Sequence, residues 1–206
     1  MAKLLIIFGN KTADEILAVA KSQYQNEFDR IEKYFFETKA NFDQYLEEVR
    51  PNFHDIYFNI GIVDFAVREK VRATASSSKL RAFSIIHRSA VISSTSSIGA
   101  GCFIAPHVVV SENARLEKHC IIHFHATIGH DCYLGKSCRV LPGARISGNV
   151  TVGENVLIGS NSVLFQNISV GDRTMIDALT YVRNDVESDM LVYSRTSTCI
   201  PQIETR

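Results

Sequence analysis

The chain has 206 residues, 46% of them hydrophobic, which suits one large domain or two small ones with a filled core. Lys plus Arg and Asp plus Glu both number 22, so the formal net charge is zero and no electrostatic pull toward nucleic acid or a membrane surface is expected. No stretch reaches the roughly 18 consecutive apolar residues of a membrane span. The polar run Asn10-Lys11-Thr12 stops the first apolar segment where a signal peptide would continue, so a cytoplasmic location is expected. Five cysteines, an odd number without a CxxC pair, suggest neither a disulfide framework nor a zinc ribbon.

In chain order, residues 3–9 read as a buried strand and 13–25 as a helix through Ile16, Leu17, Val19 and Ala20. Residues 32–37 read as a second strand, 42–49 as a helix, 55–61 as a third strand and 64–75 as a helix before the loop Ser76-Ser77-Ser78. Alternating strands and helices imply a small parallel α/β domain over 1–82. Ligands of such sheets favour the crevice at the carboxyl ends of the strands. That rule marks Gly9, Asn10 and Lys11 after the first strand, and Gly61 after the third, as acceptor-binding residues; equally, Gly9 could simply end its strand.

From Ile86 to Val182, stepping by six, seventeen positions in succession are Ile, Leu or Val. The residue two before each of these anchors is nearly always small, as at Ala90, Ser96, Cys102, Ala114, Cys120, Ala126, Cys132, Cys138 and Ala144. Glycine follows the anchor at Gly99, Gly129, Gly135, Gly153, Gly159 and Gly171, which we read as turn positions needing positive φ. Each hexad is then a short strand and a turn with its anchor inward, and three hexads close one triangular coil. Coils hydrogen-bond about 4.8 Å apart, and because one coil cannot bury its own anchors, stability comes from stacking. Between five and six coils are expected over 83–187, followed by a tail over 188–206. Cys102, Cys120, Cys132 and Cys138 fall on the small inward position as apolar filler; Cys199 lies beyond the repeat.

Several pieces of the chain are specific: Ile86-His87-Arg88-Ser89-Ala90-Val91-Ile92-Ser93 at the start of the repeat, His130-Asp131-Cys132 in its middle, and Gly148-Asn149-Val150 beyond. With them, nearly the whole chain resembles the bacterial nucleotide-sugar and sialic acid acyltransferases. The resemblance implies an α/β N-terminal domain plus a left-handed parallel β-helix (hexapeptide repeat), assembled as a homotrimer with active sites between neighbouring helices. It implies acetyl-CoA as acyl donor, held in part by Gly148 and Asn161, and a nucleotide-sugar or sialic-acid-like acceptor, with its amino group the expected nucleophile and a hydroxyl the alternative. It also implies His130 as general base with Asp131 as its acidic partner. An imidazole titrating near neutrality suits proton removal from an attacking amine, and a carboxylate fixes its tautomer. On spacing alone, His130 sits at a turn phase and reads as a solvated surface histidine. Adjacent residues do not normally face each other, so Asp131 is expected to act through its own turn or across a subunit boundary.

The other histidines pose a metal question. His107 and His125 are one coil apart in phase, and His87 and His123 two coils apart. Hexapeptide-repeat carbonic anhydrases bind zinc through two histidines five apart and a third two coils earlier. His125 and His130 are five apart, but Ser89 and Ser94 stand two coils earlier, so no metal is expected; a ladder of partly exposed histidines near the active-site groove is. The sequence also departs from the family: Arg139 replaces a second histidine, His123 an asparagine, Asp177-Ala178 a glycine-rich turn, and Tyr193-Ser194-Arg195-Thr196 a Gly-x-Pro-Ala motif. These changes bear on donor geometry and acceptor identity. Arg139 suggests an anionic acceptor, and a non-catalytic β-helix trimer is the competing reading.

Overall fold

The computed structural model describes residues 2–194. Arg195, Thr196 and Cys199 lie outside the described residues. The N-terminal part runs β1 (Lys3–Gly9), α1 (Lys11–Tyr24), β2 (Arg30–Tyr34), α2 (Lys39–Val49), β3 (Asp55–Gly61), α3 (Phe65–Ser77) and β4 (Arg81–Ala82). Its four strands form one parallel sheet in the order β2-β1-β3-β4. The central strand β1 is buried on both faces, as its unbroken apolar run from Leu4 to Phe8 requires. Thr38 and Asp64 cap α2 and α3 with side-chain oxygens that accept from Asn41 and Val67. The second strand stops at Tyr34, short of the expected 37, and Phe35 and Phe36 leave the sheet.

From Ile85 onward the chain winds as a parallel β-helix of two-residue strands on three faces. The first face stacks seven strands, from Ile85–Ile86 to Leu191–Val192. The second stacks six, from Val91–Ile92 to Tyr181–Val182, and the third five, from Ser97–Ile98 to Ser169–Val170. Register is exact to the 18-residue coil: Leu116 pairs with Leu134, and Ile128 with Ile146. From Cys102 and Ile104 onward the anchors and their small partners are buried, whereas Ile86, Ile92 and Ile98 of the first coil are half-buried; each of the four repeat cysteines donates its thiol to a backbone carbonyl. At the end the period changes: Val186 pairs with Val170 and Leu191 with Met175, a spacing of 16, so strand pairing runs past 187 on a shortened coil.

The turn chemistry differs from the expectation. None of the glycines that follow an anchor has positive φ. That conformation falls two residues later, at His107, Asn113, His119, His125, Asp131, Asn149, Asn161 and their equivalents, with Gly101 and Gly143 in the same series. Asparagine and aspartate tolerate it. The glycine after the anchor answers a different need. A Cβ on Gly99 or Gly129 would stand 2.6 Å from backbone of the next coil.

The α/β domain packs on the first face. Phe103 and Ile121, which point outward from it, are buried, whereas Val91 and Val109 on the second face are exposed. Leu5, Ile7, Ile16, Ala20 and Phe28 join the β-helix interior in one apolar cluster. Buried Asn59 donates its Nδ2 to the carbonyls of Phe83, Gly101 and Cys102 at 2.9, 3.2 and 3.1 Å. The Tyr24 hydroxyl accepts from the Ile86 N–H at 3.1 Å. His119, which carried no signal in the sequence, is buried at the edge between third and first faces, stacked on Phe58 at 5.7 Å. Its carbonyl accepts from the buried Arg68 at 2.6 Å.

Candidate active site

His130 and Asp131 lie at the edge between the second and third faces, between the strands Thr127–Ile128 and Tyr133–Leu134. Their contact corrects the sequence expectation. His130 Nδ1 stands 2.8 Å from Asp131 Oδ2, although the residues are adjacent. The reason is the corner itself: Asp131 has φ 56°, and a left-handed residue swings its side chain back beside the one before it. Hydrogen bonds from His130 and then Asn113 hold the Asp131 carboxyl below the usual carboxylate range. The ionised carboxylate accepts from Nδ1–H, which leaves Nε2 as the free basic nitrogen.

Gly148 sits on the next coil at the same edge, against the imidazole. A Cβ there would lie 2.4 Å from His130 Nε2. Its N–H makes no hydrogen bond among the described residues. Asn161 is elsewhere. It occupies the left-handed corner between first and second faces, so within one chain it does not share a site with His130 and Gly148. Asp177 and Ala178 follow Ile176 onto that same edge, where the Asp177 carboxylate accepts from the Ala178 N–H at 2.8 Å.

At the carboxyl ends of β1 and β3 is a cleft of about 530 Å³, lined by Gly9, Asn10, Phe35, Phe36, Ile62, Val63, Asp64 and Val67. Gly9 and Asn10 thus stand where the crevice rule put them. Lys11 and Gly61 do not line it: Lys11 opens α1, and Gly61 lets that helix approach, since a Cβ would meet Ala13 backbone at 2.7 Å. The apolar wall of Phe35, Phe36, Ile62, Val63 and Val67 was missed; its signal was a cluster of apolar residues just past two strand ends. Arg139 reaches this rim and donates to the Val63 carbonyl, so part of its guanidinium is engaged with backbone and not offered to an anion.

The remaining histidines divide. His107 and His125 stack with ring centres 5.1 Å apart and planes at 11°, at the edge between first and second faces, away from His130. They are therefore not a ladder beside that site. His123 is tucked under α1, 3.6 Å from Glu15, and burial lowers its pKa. His87 bonds Ser89 Oγ at 2.7 Å. Among the described residues no three His, Cys, Asp or Glu side chains gather as metal ligands, and no helix is long and apolar enough to cross a membrane.

The family described as "Bacterial transferase hexapeptide (six repeats)" matches residues 95–130 and 131–166. The sequence gives no match among curated proteins. Among solved structures, the perosamine N-acetyltransferase of Caulobacter crescentus, in complex with CoA and GDP-perosamine, is 20% identical with a TM-score of 0.81, over 94% of each chain. The acetyltransferase domain of PglB from Neisseria gonorrhoeae, in complex with acetyl coenzyme A, is 21% identical with a TM-score of 0.82, over 94% of this chain and 97% of that one. WeeI from Acinetobacter baumannii is 17% identical with a TM-score of 0.83, over the same shares, 94% and 97%. Residues 95–166 thus carry the bacterial transferase hexapeptide repeat, and the fold of the chain is an α/β N-terminal domain followed by a left-handed parallel β-helix.

Proposed function

We propose that this chain is an acetyl-CoA-dependent acetyltransferase that acylates the amino group of a nucleotide-linked amino sugar in the cytoplasm, with His130 as general base. The observation that carries the reading is the His130–Asp131 pair at 2.8 Å, held on an exposed edge with Nε2 free. The likeness in fold to proteins solved with CoA, acetyl coenzyme A and GDP-perosamine supports donor and acceptor class.

In the reaction, the neutral acceptor amine attacks the thioester carbonyl, and Nε2 of His130 takes the proton lost as the C–N bond forms. Asp131 stabilises the imidazolium. The free N–H of Gly148, beside the ring, is placed to meet the developing oxyanion. Collapse breaks the C–S bond, and the imidazolium returns its proton to the departing thiolate, so base and charge are restored.

The α/β cleft supplies the acceptor site. It borders the first face, where Arg139 meets Val63, whereas His130 lies on the edge opposite that face. One chain therefore holds cleft and base on opposite sides. A homotrimer that sets the cleft of one protomer beside the His130 edge of the next completes the site, which supports trimeric assembly as part of the same reading.

The test is thiol release from acetyl-CoA with nucleotide-linked 4-amino sugars and sialic acid. Turnover is expected with an amino sugar, and His130→Ala should lower it by at least about 10²-fold with the oligomer intact. Turnover with a hydroxyl acceptor alone would convert the reading to O-acetylation. Undiminished turnover in His130→Ala would remove the base, and no acetyl-CoA binding at millimolar concentration would leave a non-catalytic trimer.

A further inference from the structure

The edge that carries His130 holds another polar side chain in line with it. Asn113 lies one coil before Asp131 at the equivalent corner, and its Nδ2 donates to Asp131 Oδ1 at 3.0 Å. The other carboxylate oxygen, Oδ2, meets His130 Nδ1 at 2.8 Å. Each oxygen of Asp131 thus has its own partner, and the carboxylate plane is fixed from both ends.

Asn113 is itself seated. Its φ of 56° is one that asparagine tolerates. Its N–H donates to Thr95 Oγ1 at 3.0 Å one coil earlier, and that oxygen lies 3.1 Å from Ser93 Oγ. A chain of polar contacts therefore runs along one edge over three coils and ends on the imidazole. Asn149 and Asn167 occupy the same corner on later coils, and among the described residues their side chains make no hydrogen bond. Asn113 differs from them in having Asp131 ahead of it.

The need for such a clamp follows from exposure. The side chains of His130 and Asp131 are 56% and 46% exposed, and an ion pair this open ordinarily spends its gain on rotamer entropy. We propose that Asn113 is a positioning residue of the acyl-transfer site: it locks Asp131 in the rotamer that keeps Nδ1 of His130 bonded and Nε2 free. The proposal rests on His130 being the general base. Asn113 touches no substrate in this role and acts only through Asp131.

The experiment uses the full-length oligomer with Asn113→Ala, Asn113→Gly, Asp131→Ala and the double variant Asn113→Gly/Asp131→Ala. Glycine accepts the left-handed corner without strain, so Asn113→Gly removes the amide alone. Each Asn113 variant is expected to lower kcat about tenfold, as loss of an outer orienting partner typically does, with KM for acetyl-CoA unchanged. The double variant should be no slower than Asp131→Ala, because residues acting as one unit do not add. Wild-type kcat, a raised KM, or an additive loss in the double variant overturns the proposal. A second readout does not use turnover: the imidazole titration of His130 followed by NMR in the free protein. Asn113→Gly should move its midpoint in the same direction as Asp131→Ala; a midpoint that only Asp131→Ala moves overturns the clamp. If His130→Ala keeps its turnover, the reading of the base fails, and the NMR comparison still decides whether Asn113 orients the pair.

Discussion

Two edges of the β-helix carry histidines eleven residues apart, His119 and His130, under one six-residue rule, and they end in opposite environments. His119 occupies the left-handed corner itself, under the α/β domain, 7% exposed, stacked on Phe58 and beside the buried Arg68. His130 precedes its corner, faces open solvent and is paired with the residue in it. The first imidazole has lost its freedom to take up a proton. The second keeps an unencumbered nitrogen and gains a carboxylate. What separates packing from chemistry here is one step in phase and the presence of a covering domain, since the residue type is shared.

The largest way to sharpen this contrast is acid. Burial, with the nearby Arg68, pushes His119 down to about 4 from 6.5. Between those values the unfolded chain holds a proton that the folded chain refuses, so this contribution is whole above pH 6.5 and is lost as pH falls toward 4. The full difference amounts to about 3 kcal/mol. Burial lowers His123 as well, and its effect has the same sign. Urea unfolding of the wild type and of His119→Asn at pH 7.5 and pH 5 measures the difference. The wild type should lose more stability over that interval than the variant, and equal losses would mean that His119 is hydrated in solution.

A smaller effect breaks the other edge. Gly148→Ala would place a methyl 2.4 Å from Nε2 of His130. The obstructing atoms belong to an exposed ring that can turn aside, so folding should change by under about 0.5 kcal/mol, as for ordinary surface substitutions. The imidazole proposed as base is displaced, however, and turnover is expected to fall about tenfold or more, since misplacement by about 1 Å is costly in catalysis. Equal losses of stability and turnover would place Gly148 in the scaffold and not in the site.

These contrasts also show what the sequence could say. The anchors were legible because a solenoid repeats one packing problem, and seventeen copies from Ile86 to Val182 make the period plain. Strands β1 and β3 were legible to the residue, since β1 holds a continuous apolar run, β3 is apolar apart from Asp55 and Asn59, and each ends in glycine. The corners were misread. The glycine pattern assigns positive φ to Gly129 and Gly153, whereas Asp131 and Asn155, two positions later, bear it. That error concealed the contact between His130 and Asp131, because only a left-handed Asp131 brings adjacent side chains together. Phe35 and Phe36 read as strand, and their exit into the cleft depends on β2 ending early, a tertiary outcome with no local sign. His119 and Arg68 were silent for the same reason: what buries them is the docking of one domain on another.

The smallest prediction asks whether an exposed pair on this scaffold matters by virtue of pairing alone. Lys136 and Glu154 stand one coil apart, their side chains 3.1 Å from each other and 53% and 48% exposed, much as His130 and Asp131 are. If pairing itself were the source of function or stability, Glu154→Gln should resemble Asp131→Ala. A solvent-exposed salt bridge contributes roughly 0–1 kcal/mol and is screened by salt. Glu154→Gln should therefore shift the unfolding free energy by less than about 0.5 kcal/mol at 0.15 M salt, and leave turnover unchanged. A larger loss that persists at 1 M salt would point to packing of the Lys136 stem against the docked α/β domain, at the edge where His119 lies buried.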